Sequence, residues 1–218
     1  MNFINLQGVS YAYPRKEEVF SDLSFSIKTG DTVALNGPNG CGKTTLGKVI
    51  MGIYQPTRGK VLLEGKKMQE LSLGEIGQRL GYIFQNPEKQ IFTPSVQEEV
   101  SFGLRYRGLE EKEIENKVEA MLSYFDLQHC RDNFPFNLSQ GEKQRLVIAA
   151  ILALEPKFII FDEPTTGLDY VRKHKFAELL HRIKEKGVGY ILISHDYEFS
   201  QSCTNRTLSM KEGKIYEQ

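Results

Sequence analysis

The sequence predicts an α/β protein with a mostly parallel sheet, and three observations carry that prediction. A glycine-rich loop at 37–44 lies between an apolar, strand-like run and a helical one. Compact apolar runs recur at 32–36, 157–161 and 189–194, the pattern of strands covered on both faces. Helical periodicity fills stretches between such runs, which is the alternation that a parallel sheet requires.

The elements follow in order. Up to about Glu64 the chain reads as β-rich: Leu23, Phe25 and Ile27 alternate with polar residues, Thr29-Gly30-Asp31 makes a turn, and Val61 and Leu63 give a further alternation. A helix is expected from about 43 to 54 and a strand at 81–84, ending at Gln85. From about 94 to 155 the chain is helical, and within 110–125 the residues Ile114, Val118, Met121, Leu122 and Phe125 have helical spacing. This predicts one domain over 1–218, with a core from 1–85 and 156–218 and an inserted helical subdomain at 86–155. The last elements are a helix at 171–186 and a hairpin at 208–216 that turns at Lys211-Glu212-Gly213.

A length of 218 residues and a mass of 24.9 kDa are those of one domain with a real core. Lys and Arg number 28 and Asp and Glu 28, so the chain lacks the basic excess of a nucleic-acid binder and no nucleic-acid partner is expected. The longest apolar run, 146–154, is far shorter than the roughly 18 residues of a membrane span. Residues 1–8 carry no basic segment leading into an apolar one, so the cytosol is the expected compartment. Cys41, Cys130 and Cys203 are widely spaced and expected to be free thiols.

Gly37-Pro38-Asn39-Gly40-Cys41-Gly42-Lys43-Thr44 fits GxxxxGK[ST] in its required place between strand and helix. Glycines let backbone N–H groups converge on phosphate, Lys43 reaches the β and γ phosphates, and Thr44 offers a hydroxyl to Mg2+. Phe158-Ile159-Ile160-Phe161-Asp162-Glu163 delivers two adjacent carboxylates at the end of an apolar strand, where α/β sheets bind ligands. Asp162 is expected to hold Mg2+, and Glu163, on the other strand face, to act as general base toward the attacking water. Ser139, followed by Gly141 and Glu142, opens a long apolar helix. It reads both as a capping box and as a second anion site made by a helix N-terminus. Cys41 lies inside the phosphate loop, where a helix N-terminus favours a thiolate, and is expected to be reactive.

Carrying these motifs, the chain resembles the ATP-binding cassette ATPases over essentially its whole length. Residues 138–145 look like the family signature, differing from its commonest form at Gln140 and Glu142 and keeping Ser139 and Gly141. Gln85 matches the Q-loop glutamine, Gly167-Leu168-Asp169 the D-loop, His195 the switch histidine, and Tyr13 the aromatic that stacks on adenine. The resemblance implies a P-loop NTPase (RecA-like) core with an N-terminal antiparallel β subdomain and the helical insertion. It implies ATP and Mg2+ as ligands, with Glu163, His195 and Gln85 catalytic. Tyr13, Gly37, Asn39, Gly40, Cys41, Gly42, Lys43, Thr44, Thr45, Ser139, Gly141 and Asp169 would contact ATP, and Thr44, Gln85 and Asp162 the metal. The working unit it implies is a head-to-tail pair with a second ATPase chain, identical or not, bound to transmembrane subunits on the cytoplasmic face of the cell membrane. Phe84-Gln85-Asn86-Pro87-Glu88-Lys89-Gln90-Ile91-Phe92 looks most like the ATPases of energy-coupling-factor importers, which take up vitamins and transition metals. Another ABC importer or exporter, or an ABC ATPase outside transport, are the alternatives. Ile91, Phe92 and Val96 read equally as a groove for a partner's helix and as subdomain core.

Overall fold

Long runs rich in β-branched and aromatic residues build the first sheet. In the computed structural model, which describes residues 2–217, β1 (Asn2–Ala12) pairs antiparallel with β2 (Glu18–Lys28). On its other side β1 pairs antiparallel with β4 (Arg58–Leu63), which carries the short β5 (Lys66–Lys67). Ile4, Leu6, Val9, Phe20, Leu23 and Ile27 supply the buried face of the β1–β2 pair. Register shifts between Leu6 and Val9 and between Val9 and Tyr11 interrupt its alternation.

The second sheet has six strands in the order β10-β9-β3-β8-β7-β6. They are β3 (Thr32–Asn36), β6 (Leu80–Ile83), β7 (Phe158–Asp162), β8 (Gly189–Ser194), β9 (Arg206–Lys211) and β10 (Lys214–Glu217). The β3–β8, β3–β9 and β7–β8 pairs are parallel, and the β9–β10 hairpin is antiparallel. Phe158, Ile159, Ile160 and Phe161 are wholly buried, as is expected of a strand covered on both faces. Each such side chain contributes roughly 1.5–3 kcal/mol by leaving water. The mostly parallel α/β fold and the antiparallel N-terminal sheet expected from the sequence are both present.

The helices are α1 (Lys43–Ile50), α2 (Leu73–Gly77), α3 (Val96–Tyr106), α4 (Glu111–Tyr124), α5 (Gln140–Ala153), α6 (Tyr170–Glu185) and α7 (Tyr197–Cys203). By its contacts the chain divides into two units: residues up to Tyr82 together with those from Lys157 onward, and Ile83–Pro156. The second unit is helical. Ile114, Val118 and Leu122 form the buried stripe of α4, whereas Leu146, Val147, Ile148 and Ala149 are buried at successive positions of α5, so that its middle turn is covered all round. Ile91 and Val96 are buried in this unit, while Phe92 is exposed and meets Phe102 edge to face with centroids 4.8 Å apart. Among the described residues no helix is long and apolar enough to cross a membrane.

Several expected bounds shift: β6 is Leu80–Ile83 rather than 81–84, and α6 is Tyr170–Glu185 rather than 171–186. The helix expected to reach Tyr54 stops at Ile50, because Gly52 with φ 76° turns the chain out of the helix. The strand expected at 157–161 is displaced by one residue, to Phe158–Asp162, and ends on Asp162 itself.

Candidate functional site

β3, β8 and β7 run parallel and adjacent, with Asn36 opposite Ser194 and Asp162 opposite Ile193. Their carboxyl ends therefore open side by side, and the residues that follow each strand meet there. After β3 comes the glycine-rich loop. Gly37 has φ 156°, and a Cβ on it would stand 2.3 Å from the carbonyl oxygen of Met210, so no larger residue fits. Gly42, with φ 106°, is the N-cap of α1, whose first turn has no capping side chain and no acidic residue. The positive end of α1 is thus left to an external anion.

The buried Lys43 donates from Nζ to the carbonyl oxygens of Gly37 at 2.8 Å and Pro38 at 3.1 Å, and lies 3.6 Å from Oε1 of Glu163. Thr44 Oγ1 donates to Asp162 Oδ1 at 2.8 Å. Tyr82 Oη donates to the other oxygen, Oδ2, at 2.8 Å. Burial pushes the Asp162 carboxyl above the usual carboxylate range, while its hydrogen bonds from Thr44 and Tyr82 pull the other way. The same burial, with Asp162 alongside, pushes the Tyr82 phenol far above its usual range, so this hydroxyl is a fixed donor.

Strand alternation would put Glu163 on the face opposite Asp162, and the structure corrects this. Glu163 leaves the strand with φ 49° and turns its carboxylate toward Lys43 and His195. His195 follows β8 directly, and its Nδ1 donates to Glu163 Oε2 at 2.7 Å. Lys43, Thr44, Asp162, Glu163 and His195 thus share one site. The arrangement places a metal-type oxygen pair (Thr44 and Asp162) and a buried carboxylate held by a lysine and a histidine beside a phosphate-type loop.

Tyr13 Oη shares a hydrogen bond with Thr45 Oγ1 at 2.9 Å, which puts its ring beside the first turn of α1. Tyr11, Tyr13 and Tyr54 form a cluster, with Tyr11 stacked on Tyr54 at 5.4 Å. Cys41 is half-buried, and its sulfur would be 2.9 Å from a Cβ on Gly37. Asn39 and Gly40 are exposed on the loop. Asp169 caps α6 by accepting from the N–H of Arg172 at 2.8 Å.

Gln85 and the signature residues belong to the second unit. Gln85 is exposed, just beyond β6. Ser139 is the N-cap of α5 in a full capping box: its N–H and hydroxyl both reach Glu142 Oε2, at 2.8 and 2.6 Å. Ser139 and Glu142 therefore do form the capping box that their spacing suggests. Ser139 hydrogen bonding draws the Glu142 carboxyl down to about 2. Gly141 follows in the first turn, half-buried, and a Cβ on it would lie 3.9 Å from Nη1 of Arg145.

Tyr82 is the functional neighbour that sequence reasoning missed. Its only signal was a hydroxyl on a strand residue otherwise suited to a core, and the contact to Asp162 spans 80 residues of chain.

Comparison with known proteins adds the context. The family described as ABC transporter matches residues 20–166. An ABC transporter ATP-binding protein of Methanosarcina acetivorans is 41% identical over 97% of this chain, which covers 34% of that protein. The chain spans about a third of the length of the first curated relatives it matches. An energy-coupling factor transporter ATP-binding protein, EcfA of Methanocaldococcus jannaschii, is 38% identical over 99% of this chain and 78% of its own length. Among solved structures, CbiO1 of Clostridium perfringens, part of the ABC transporter complex CbiONQ, superposes with a TM-score of 0.90 at 31% identity, covering 99% of this chain and 87% of that one. A dimeric ATP-binding cassette in a post-hydrolysis state with ADP and phosphate gives 0.86 at 26% identity, with 99% and 97% covered.

Proposed function

Because the chain belongs to the ABC transporter family, we propose that it is the ATP-binding and ATP-hydrolysing subunit of an energy-coupling-factor importer. Its cargo would be a vitamin or a transition-metal ion, carried by separate membrane subunits. The chain itself would sit on the cytoplasmic face of the cell membrane. The likeness to EcfA and CbiO1 supports the importer type. The observation that carries the ATPase reading is Glu163, buried and held between Lys43 and His195 next to the Thr44–Asp162 pair.

In this reading residues 1–85 and 156–218 are the catalytic core and 86–155 the signature subdomain. The phosphate loop and α1 bind the phosphates, and Tyr13 stacks on the base. Thr44 and Asp162 suit Mg2+: they offer hard oxygen atoms 2.8 Å apart, and a divalent cation offsets the cost of the buried carboxylate. Together with Gln85 they would hold the metal, which when bound neutralises charge on the phosphates. Glu163 takes the proton of the attacking water. Its carboxylate is an acceptor only, and the His195 N–H keeps it aimed. With Nδ1–H given to Glu163, Nε2 of His195 donates to a γ-phosphate when the ring carries both protons, the state that a phosphate's negative charge favours. Lys43 is drawn to phosphate and to Glu163 alike, so it ties nucleotide charge to the position of the base.

Ser139, Gly141 and Asp169 act on the nucleotide of a second chain in a head-to-tail pair, the two interfaces closing a two-fold dimer. ATP then favours the closed pair and hydrolysis releases it, which converts binding energy into motion. The test is Glu163→Gln, which should lower ATP hydrolysis by at least about a hundredfold. It should leave nucleotide binding, measured by a fluorescent ATP analogue, near wild type. Hydrolysis at the wild-type rate would overturn the assignment of Glu163.

A further inference from the structure

We propose that His129, Cys130 and Glu142 form a binding site for a thiophilic divalent cation such as Zn2+ at the start of α5. One ligand atom from each lies within 4.8 Å of the others. The convergence is built by local structure. A short 3-10 turn at Gln128–Cys130 presents the imidazole and the thiol as neighbours, and the sulfur is oriented by a 3.1 Å hydrogen bond to the Leu127 carbonyl. Glu142 comes from the first turn of α5. Its Oε2 is occupied by Ser139, which leaves Oε1 turned to His129 Nε2 at 3.0 Å.

The donor set selects the ion. Sulfur, imidazole nitrogen and carboxylate oxygen together suit Zn2+, whereas Mg2+ and Ca2+ take oxygen alone. Bond lengths of about 2.0–2.3 Å around a tetrahedral ion put its ligands about 3.3–3.8 Å apart. The present spacing reaches that with small side-chain adjustments. His129 is 58% exposed and gives the ion a way in, while Cys130, 2% exposed, keeps the sulfur out of bulk solvent. Asp126 adds negative charge nearby, and the opposing Arg145 is held by its hydrogen bond to the Phe125 carbonyl. On binding, the thiol proton leaves to solvent as the sulfur–metal bond forms, and water fills the fourth position. The ion would clamp the 128–130 turn to the first turn of α5, the turn that Ser139 caps.

The proposal does not depend on the ATPase reading, and its test needs no nucleotide. The purified full chain, in excess Mg2+ to occupy carboxylate sites, is titrated with CoCl2 while the near-ultraviolet thiolate-to-cobalt charge-transfer band is followed. One Co2+ per chain, a band displaced by ZnCl2, loss of that band in Cys130→Ser and at least about tenfold weaker binding in His129→Ala are expected. Because His129 is exposed, its variant should fold even where the buried Cys130 variant does not. A wild-type chain without the band, or a His129→Ala chain that binds Co2+ as tightly as wild type, would overturn the proposal.

Discussion

Asp162 illustrates how much a single side chain's environment decides. Its two oxygens are each held by a hydroxyl, Thr44 on one side and Tyr82 on the other, and burial makes its charge costly. Removing the Tyr82 hydroxyl leaves Oδ2 buried without that donor. Tyr82→Phe should therefore destabilise the chain by about 1–3 kcal/mol in urea denaturation. It should also raise the Mg2+ concentration needed for half-maximal ATP hydrolysis, because the carboxylate loses the group that orients it. Unchanged stability together with an unchanged Mg2+ requirement would show that Thr44 alone positions Asp162. The sequence marked Thr44 and Asp162 through short-range motifs. It could not mark Tyr82, whose role exists only because β6 brings a phenol to a carboxylate remote in the chain.

At the scale of elements, helices α6 and α7 are tied by Lys173 and Asp196, whose side chains meet at 2.5 Å, and Asp196 also caps α7 through the Phe199 N–H. The Lys173 ammonium holds the Asp196 carboxyl below its usual value of 3.8. Asp196 is therefore ionised in the folded chain at a pH where it is already protonated in the unfolded one. The stability it adds is complete above pH 3.8 and is lost as pH falls through the lowered folded value. Lys173→Met should cost roughly 0.5–1 kcal/mol at neutral pH, since both groups are partly exposed. The difference from wild type, read by chemical denaturation, should narrow as pH falls below about 4, where the carboxylate in the unfolded reference is protonated. A difference that stays constant with pH would mean that packing, not charge, joins the two helices. The short α7 was not legible in advance, because Tyr197–Cys203 has too few apolar residues for a periodic signal and only Asp196 marks its start. The parallel strands β3, β7 and β8 were legible, since uninterrupted burial leaves compact, mostly apolar runs. β1 and β2 were legible only as β-rich sequence, because the shifts in their register break the alternation by which single strands are read.

On the scale of the whole molecule, the phosphate loop and the signature residue Ser139 belong to different units of one chain. In the proposed mechanism each nucleotide needs both, one from each of two chains. Lys and Arg balance Asp and Glu at 28 each, so two copies meet without net long-range repulsion. The contest between them is then local, decided by the phosphate charge that Lys43, the loop and the partner's α5 N-terminus can share. It follows that a chain able to bind ATP but unable to hydrolyse it should accumulate as a pair. Light scattering of Glu163→Gln with ATP and Mg2+ should give about twice the 24.9 kDa of the single chain, returning to the single mass with ADP. Adding Ser139→Ala to that variant removes a donor to the second chain's nucleotide and should weaken pairing by about tenfold. If Glu163→Gln stays a single chain at saturating ATP, the pairing of two identical copies is wrong and the second signature helix must come from a different chain.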